Sequence, residues 1–262
     1  MKKLTAMLLA LLMVFTAAMV LAEEGQDALA EIREKGKLVI GTEGNWSPWT
    51  YHDENDILTG LDVEIGKLIA EGLGVTAEFQ EAPWDALLAG VDAGRFDIIC
   101  NGVAYTEKRA ESYNFTIPYV YSNMVLVVAE NNEDIKSVDD LKGKKTANSA
   151  SSSYAAMAEG YGATLVPVDT LGETMDLLQQ GRVDATINAQ ESIGDYLREH
   201  PDAKIKVVQV IGGEPVAYPV HIGEKYLTLV EAINEILKKA QEDGTLSALS
   251  MKFFNVDITK AE

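Results

Sequence analysis

Apolar strands alternate with amphipathic helices along most of this chain, in two runs separated by the polar break Asn131-Asn132-Glu133-Asp134. In the first run, Leu38-Val39-Ile40 predicts a strand and the stretch after Gly60 a helix. A strand follows at 75–80, then a helix at 84–93 with Leu87, Leu88 and Val91 apolar, and a strand at 97–100. The second run opens with a short capped helix at 137–141. It continues as strand 144–147, helix 154–159, strand 164–168, helix 170–180, strand 185–187, helix 192–199 and an extended segment at 206–210. Strand, helix, strand order implies crossover connections, so each run predicts a mainly parallel sheet flanked by helices, with ligand space beyond the carboxyl ends of its strands. The apolar strand 122–129 is long enough to pass from one unit to the other, and Tyr218-Pro219-Val220-His221 offers the return. The expected architecture is therefore α/β and two-lobed, with residues 37–123 plus 220–262 in lobe one and 124–219 in lobe two. Residues 23–36 read as a lead-in, and hinge crossings are expected near 122–127 and 217–221.

The first 22 residues stand outside that pattern. A basic start at Lys2-Lys3 precedes an apolar run from Leu8 to Val20, and Leu21-Ala22 meets the acidic Glu23-Glu24. This is the composition of an export signal, and its apolar core is shorter than the roughly 20 residues of a spanning helix. A retained anchor is the alternative to cleavage. Export predicts a periplasmic or secreted protein, and lipid attachment at the cut would need a cysteine, whereas the single cysteine is Cys100. Loss of the signal removes two lysines and no acids, which takes the formal charge from −19 to −21. Such acidity disfavours nucleic acid and anionic membranes as partners and favours a dispersed monomer. One cysteine allows no internal disulfide, so an apolar core must stabilise the chain, and Cys100 is expected to pack as a small buried group.

Gly41-Thr42-Glu43-Gly44 gives the first strand a tight polar exit, and Trp46 and Trp49 follow with only Ser47 and Pro48 between them. Two indoles on one loop suit the wall of a binding cleft; a local hydrophobic plug is the plainer alternative. Ser151-Ser152-Ser153 stands before a helix, where hydroxyls and free N–H groups cap the helix, cradle a carboxylate, or do both. The three histidines, His52, His200 and His221, form no triad or metal-ligand spacing, the serine run lacks a paired base, and no phosphate loop is present. No cofactor and no metal are expected.

Several segments also resemble one family, in order and spacing. They are Gly41-Thr42-Glu43 with Pro48-Trp49; Gly60-Leu61-Asp62-Val63-Glu64-Ile65; Trp84 with Leu87 and Leu88; Gly94-Arg95-Phe96-Asp97; Thr106-Glu107-Lys108-Arg109; Phe115-Thr116 with Pro118-Tyr119; and Gly181-Arg182-Val183-Asp184-Ala185. This set, spread over 37–256, resembles the periplasmic polar amino-acid-binding proteins of ABC importers (solute-binding protein family 3), and 151–153 with 184–191 look nearest to the cystine-type branch. The resemblance implies a type II periplasmic-binding-protein clamshell, a small-molecule amino acid as ligand, an ABC transporter permease as partner, and no catalysis.

It also implies roles. Arg109 holds the ligand carboxylate, because a planar guanidinium meets both oxygens, with backbone N–H help from Gly102 and Ala104; a merely solvated Arg109 beside Glu107 and Glu111 is the alternative. Trp49 and Trp84 sandwich the ligand body, or face its ammonium by cation–π contact, and Ser152 with Ser153 closes from lobe two. Trp46, Asn101, Asn148, Asn188 and Gln190 complete the expected set. Two positions depart from the pattern. Ala104 lacks the hydroxyl usual there, and Ala189 stands where an aspartate usually meets the ligand ammonium, which leaves Glu43, Gln190 or Glu191 as its replacement, Glu43 first. The rivals are a dehydratase acting on a prephenate-like acid, since that activity shares the scaffold, and a detached amino-acid sensor domain.

Overall fold

Leu38 and Ile40 are fully buried and alternate with half-buried neighbours, as expected for a strand with helices on both faces. They centre the first of two five-stranded sheets in the computed structural model, which describes residues 27–261. The export signal expected at 1–22 lies outside the described residues.

In chain order the elements begin with α1 (Ala28–Lys35), β1 (Lys37–Thr42), β2 (Asn45–Trp46), β3 (Thr50–His52), β4 (Leu58–Thr59) and α2 (Leu61–Leu73). Next come β5 (Thr76–Glu81), α3 (Trp84–Asp92), β6 (Ile98–Ile99), the short α4 (Glu107–Ala110), β7 (Tyr113–Phe115) and β8 (Val120–Ala129). The middle of the chain holds β9 (Lys145–Asn148), α5 (Ser153–Gly160), β10 (Thr164–Pro167), α6 (Leu171–Gln179), β11 (Ala185–Ala189) and α7 (Gln190–Glu199). The long β12 (Ile205–Val216) returns to β13 (Pro219–His221), α8 (Leu227–Glu242) and α9 (Thr245–Phe254).

The first sheet has the order β5-β1-β6-β13-β7, with β1 parallel to both β5 and β6. The second has the order β10-β9-β11-β8-β12, parallel from β10 to β11 and antiparallel across β8 and β12. Ile65 and Ile69 of α2 pack with Ile233 and Leu237 of α8 on one face of the first sheet, while Leu87, Val91 and Phe96 cover the other. Met175, Leu178 and Ile193 do the same for the second sheet over Val125 and Val127. Cys100 is buried and unpaired in a disulfide, as its apolar setting predicts.

The chain leaves the first sheet after Phe115 and returns to it at Pro219. Residues 120–123, placed in lobe one by sequence, pair with Val216, Pro215, Glu214 and Gly213 in the second sheet. At the two crossings Tyr119 and Tyr218 stack with centroids 4.2 Å apart, and both are fully buried. Two further elements differ from expectation. The lead-in carries α1, capped by Asp27, whose carboxylate accepts from the Ala30 N–H at 2.8 Å; only Ala28 and Ile32 of this short, charge-rich helix are buried, too few to mark it in the sequence. β12 runs to Val216 rather than stopping at 210: two register irregularities, which leave Val208 and Ile211 without partners, let the strand stay paired with β8, and Gly212 and Gly213 remain in the ladder opposite Met124 and Asn123.

Candidate functional site

The carboxyl ends of β1, β6, β9 and β11 point into one gap between the sheets, of about 580 Å³ counting its open mouth. From lobe one it is lined by Glu43, Trp46, Trp84, Gly102, Ala104 and Arg109, and from lobe two by Asn148, Ser152, Ser153 and Asn188. The structure thus brings ten of the thirteen sequence-derived candidates together.

Arg109 sits in α4, whose N-cap Thr106 accepts from its backbone N–H at 3.1 Å. The side chain lies over the Trp84 ring, 5.4 Å from its centroid, and Nη1 donates to the Ala104 carbonyl at 3.0 Å while Nη2 donates to the Ser151 carbonyl at 3.3 Å. Burial pulls the guanidinium below its usual value, and the Glu214 carboxylate nearby pushes the other way. Glu214 is itself raised to about 7, chiefly by burial. Arg109 therefore presents a stacked cation whose two terminal nitrogens are aimed by backbone carbonyls, a geometry that leaves further N–H groups for a carboxylate.

Glu43 is the acid that lobe one brings to the cavity. Burial raises it to about 7, against the Asn101 amide, which donates to its Oε2 at 2.6 Å. Asn101 does not line the gap. It is fully buried, and its Oδ1 accepts from the Glu43 N–H at 2.7 Å, so it holds Glu43 from behind. Thr42 and Thr50 extend the same network, with hydroxyl oxygens 2.6 Å apart.

Besides Asn101, three candidates take positions or roles other than those expected. Trp49 is 1% exposed and stands behind Trp46, stacked at 5.4 Å and backed by Phe254 at 4.8 Å, so Trp46 supplies the wall and Trp49 its support. Gln190 lies away from the gap, in a hollow with Gly194, Phe253 and Val256, because α7 begins there and turns its side chain past the strand end. Gly102 does line the gap, but its N–H donates to the buried Asp62 carboxylate rather than toward a ligand. Its φ of 55° and its closeness to both indoles explain the glycine, since a Cβ there would sit 2.6 Å from Trp46 and 3.1 Å from Trp49.

Several lining residues escaped sequence reading: Asn45, Ser149, Tyr154, Asp169, Thr170 and Thr174. Asp169 and Thr170 carried a usable signal, since they follow a strand and open α6 with a Thr170–Glu173 capping box, the context that singled out Ser152. Ala189 is fully buried, so the strand's alternation offers Asn188 to the gap. The histidines stay apart: His52 pairs with Glu81 at 2.9 Å, His200 packs on Tyr196 and His221 on Tyr226. Among the described residues no three His, Cys, Asp or Glu side chains group as metal ligands.

Two α/β lobes joined by paired crossings around a polar, tryptophan-walled gap define a solute-binding clamshell. The chain matches the model of the bacterial extracellular solute-binding proteins, family 3, over residues 38–256, and it belongs to that family. It is 41% identical over 234 residues to a probable amino-acid ABC transporter-binding protein of Haemophilus influenzae, covering 88% of this chain and 90% of the relative. It is 38% identical over 240 residues to the L-cystine-binding protein TcyA of Bacillus subtilis, covering 91% and 88%. Among solved structures, the L-cystine solute receptor of Neisseria gonorrhoeae in its unliganded open conformation is 40% identical, with a TM-score of 0.59 over 89% of this chain and 99% of the receptor.

Proposed function

We propose that this protein captures an amino acid between its lobes outside the cytoplasm and presents it to an ABC importer, with cystine-type ligands first among the candidates. The observation that carries this reading is Arg109 stacked on Trp84 at the gap, its guanidinium aimed by two backbone carbonyls opposite the Ser152 and Ser153 hydroxyls. A carboxylate meets the guanidinium, the aliphatic or sulfur-bearing body lies between Trp46 and Trp84, and the ammonium meets Glu43, which stands in for the missing acid at Ala189. The names of the relatives support amino-acid and cystine ligands. The stacked tyrosines at the crossings, Tyr119 and Tyr218, are the pivot about which the lobes close, with 37–123 plus 220–262 and 124–219 as the approximate moving units. Removal of 1–22 frees a monomer for this task.

Calorimetric titration of the purified protein with L-cystine, L-arginine and L-glutamine tests the reading, and Arg109→Ala is expected to weaken the best ligand at least tenfold, or about 1.4 kcal/mol. Unchanged affinity would remove Arg109 from the site. A second reading, a lyase on a prephenate-like acid, draws on Glu43, since a buried carboxyl near 7 is poised as a general acid. Recovery of the ligand unchanged after prolonged incubation excludes it.

A further inference from the structure

Asp85 and Ser151 face each other across the mouth of the gap, one in the first turn of α3 in lobe one, the other in the loop between β9 and α5 in lobe two. The Asp85 Oδ1 accepts from the Ser151 N–H at 2.9 Å and from its hydroxyl at 2.6 Å. The Ser151 carbonyl in turn accepts from Arg109 Nη2 at 3.3 Å. All three polar groups of one lobe-two residue are thus engaged by two lobe-one side chains that flank Trp84. Asp85 is suited to its part because a carboxylate in a helix's first turn lies at the positive end of the helix dipole.

The neighbours of Ser151 give the contact its meaning. Ser152 and Ser153 come next in the chain and line the gap, and a turn closed by the Ser152 N–H on the Ser149 carbonyl at 3.1 Å fixes their direction. Holding Ser151 therefore holds the serine cradle over Arg109 and Trp84. The same contact places a second carboxylate near Glu43, where Asp85 adds to the effect of burial on that group.

We infer that Asp85 is a positioning residue and Ser151 its catch: together they form a latch that holds the lobes shut and sets the serine cradle against Arg109, using only atoms of the protein. Such a latch needs no ligand to form, so the free protein samples the closed arrangement and a bound ligand is released only after the latch opens. In thermodynamic terms the latch shifts the open–closed balance toward the form that binds, and so it raises affinity without touching the ligand. Both residues are solvent-exposed, so the effect is moderate and the fold does not depend on it.

Asp85→Ala, Asp85→Asn and Ser151→Ala test the inference in the full chain. Small-angle scattering of the ligand-free proteins is expected to show a larger radius of gyration for Asp85→Ala than for wild type, with unchanged thermal melting. With L-cystine and L-arginine as probes, Asp85→Ala should raise the dissociation rate roughly tenfold while the association rate holds, since closure follows encounter. Ser151→Ala keeps the backbone N–H bond and should raise it about threefold, and Asp85→Asn, which keeps an acceptor, should restore part of the loss. Superimposable scattering curves for wild type and Asp85→Ala, with identical dissociation rates, would overturn the latch. The affinity arm rests on the capture reading. If neither probe binds wild-type protein that reading fails, and the ligand-free scattering still decides the latch.

Discussion

The two walls of the gap are built differently. The lobe-one wall is wired into its own core: Asn101 fixes Glu43, Thr42 meets Thr50, Trp46 leans on Trp49, which Phe254 backs, and Gly102 is tied to Asp62. The lobe-two wall is a set of strand ends and helix starts. Its hydroxyls and amides are held locally, Ser152 by capping α5 and Asn148 by donating to the Ile187 carbonyl at 3.0 Å. A buried polar network gives a rigid surface, since breaking any member leaves unpaired partners, whereas caps and loop turns adjust at small cost. Lobe one is accordingly the preformed anchor, and lobe two the part that closes on it.

The sharpest way to break that contrast is Asp62. Its carboxylate is fully buried and accepts from the Gly102 N–H and from the Tyr218 hydroxyl at 2.8 Å, linking the cavity turn to the hinge pair. Asp62→Ala orphans two buried donors and is expected to lower stability by about 4 kcal/mol, read as a fall in the denaturation midpoint at constant slope. Asp62→Asn, which keeps an acceptor, should lose less than half of that. A loss below about 1 kcal/mol in the alanine variant would mean that the lobe-one wall does not depend on this network.

Acidification should move stability and binding in opposite directions. Burial raises Glu43 from 4.5 and Glu214 from 4.5 to about 7, and Asp62 from 3.8 to about 6. For each, the folded state binds its proton more tightly than the unfolded state. The stabilisation is complete below the unfolded values near 4 and is lost as pH rises through 6 to 7. The melting temperature should therefore climb as pH falls from 8 to about 5, helped by relief of the acidic surface's self-repulsion. Exposed acids whose values are lowered, such as Asp53 by the Ile57 N–H and Asp140 by the Lys136 N–H, lose their contribution only under stronger acid. Affinity goes the other way if Glu43 meets an ammonium, because the ligand needs the carboxylate. Binding should weaken below pH 7 by up to about tenfold per unit, and Glu43→Gln should flatten the profile. A flat wild-type profile would remove Glu43 from the ammonium role.

Much of this was legible in the sequence because period and punctuation are local. The strand–helix alternation located both sheets, and the family-like motifs led to Glu43, Trp84 and Arg109, which the fold gathers at one gap. The remainder depends on three-dimensional neighbours. No spacing rule separates Trp46 from Trp49, since which indole meets solvent depends on where Phe254, more than 200 residues away, arrives. Gly102 read as a donor to a ligand because nothing local reveals that Asp62 claims its N–H. Ser151 looked like its two neighbours until Asp85 stood opposite it.

Ser152 carries the finest test of the contrast, because it performs two tasks that one substitution confounds. Its hydroxyl accepts from the Ala155 N–H at 3.0 Å as the cap of α5, and the residue also lines the gap. Ser152→Ala should destabilise by about 1 kcal/mol through loss of the cap, and any fall in affinity would be ambiguous. Glycine at an N-cap costs only a few tenths of a kcal/mol, and the φ of −72° here suits any residue, so Ser152→Gly removes the hydroxyl while nearly sparing the helix. If lobe two contributes hydroxyls to the ligand, both variants should bind about threefold to tenfold more weakly despite their different melting temperatures. If Ser152 serves the helix alone, affinity should follow stability, with Ser152→Gly close to wild type in both.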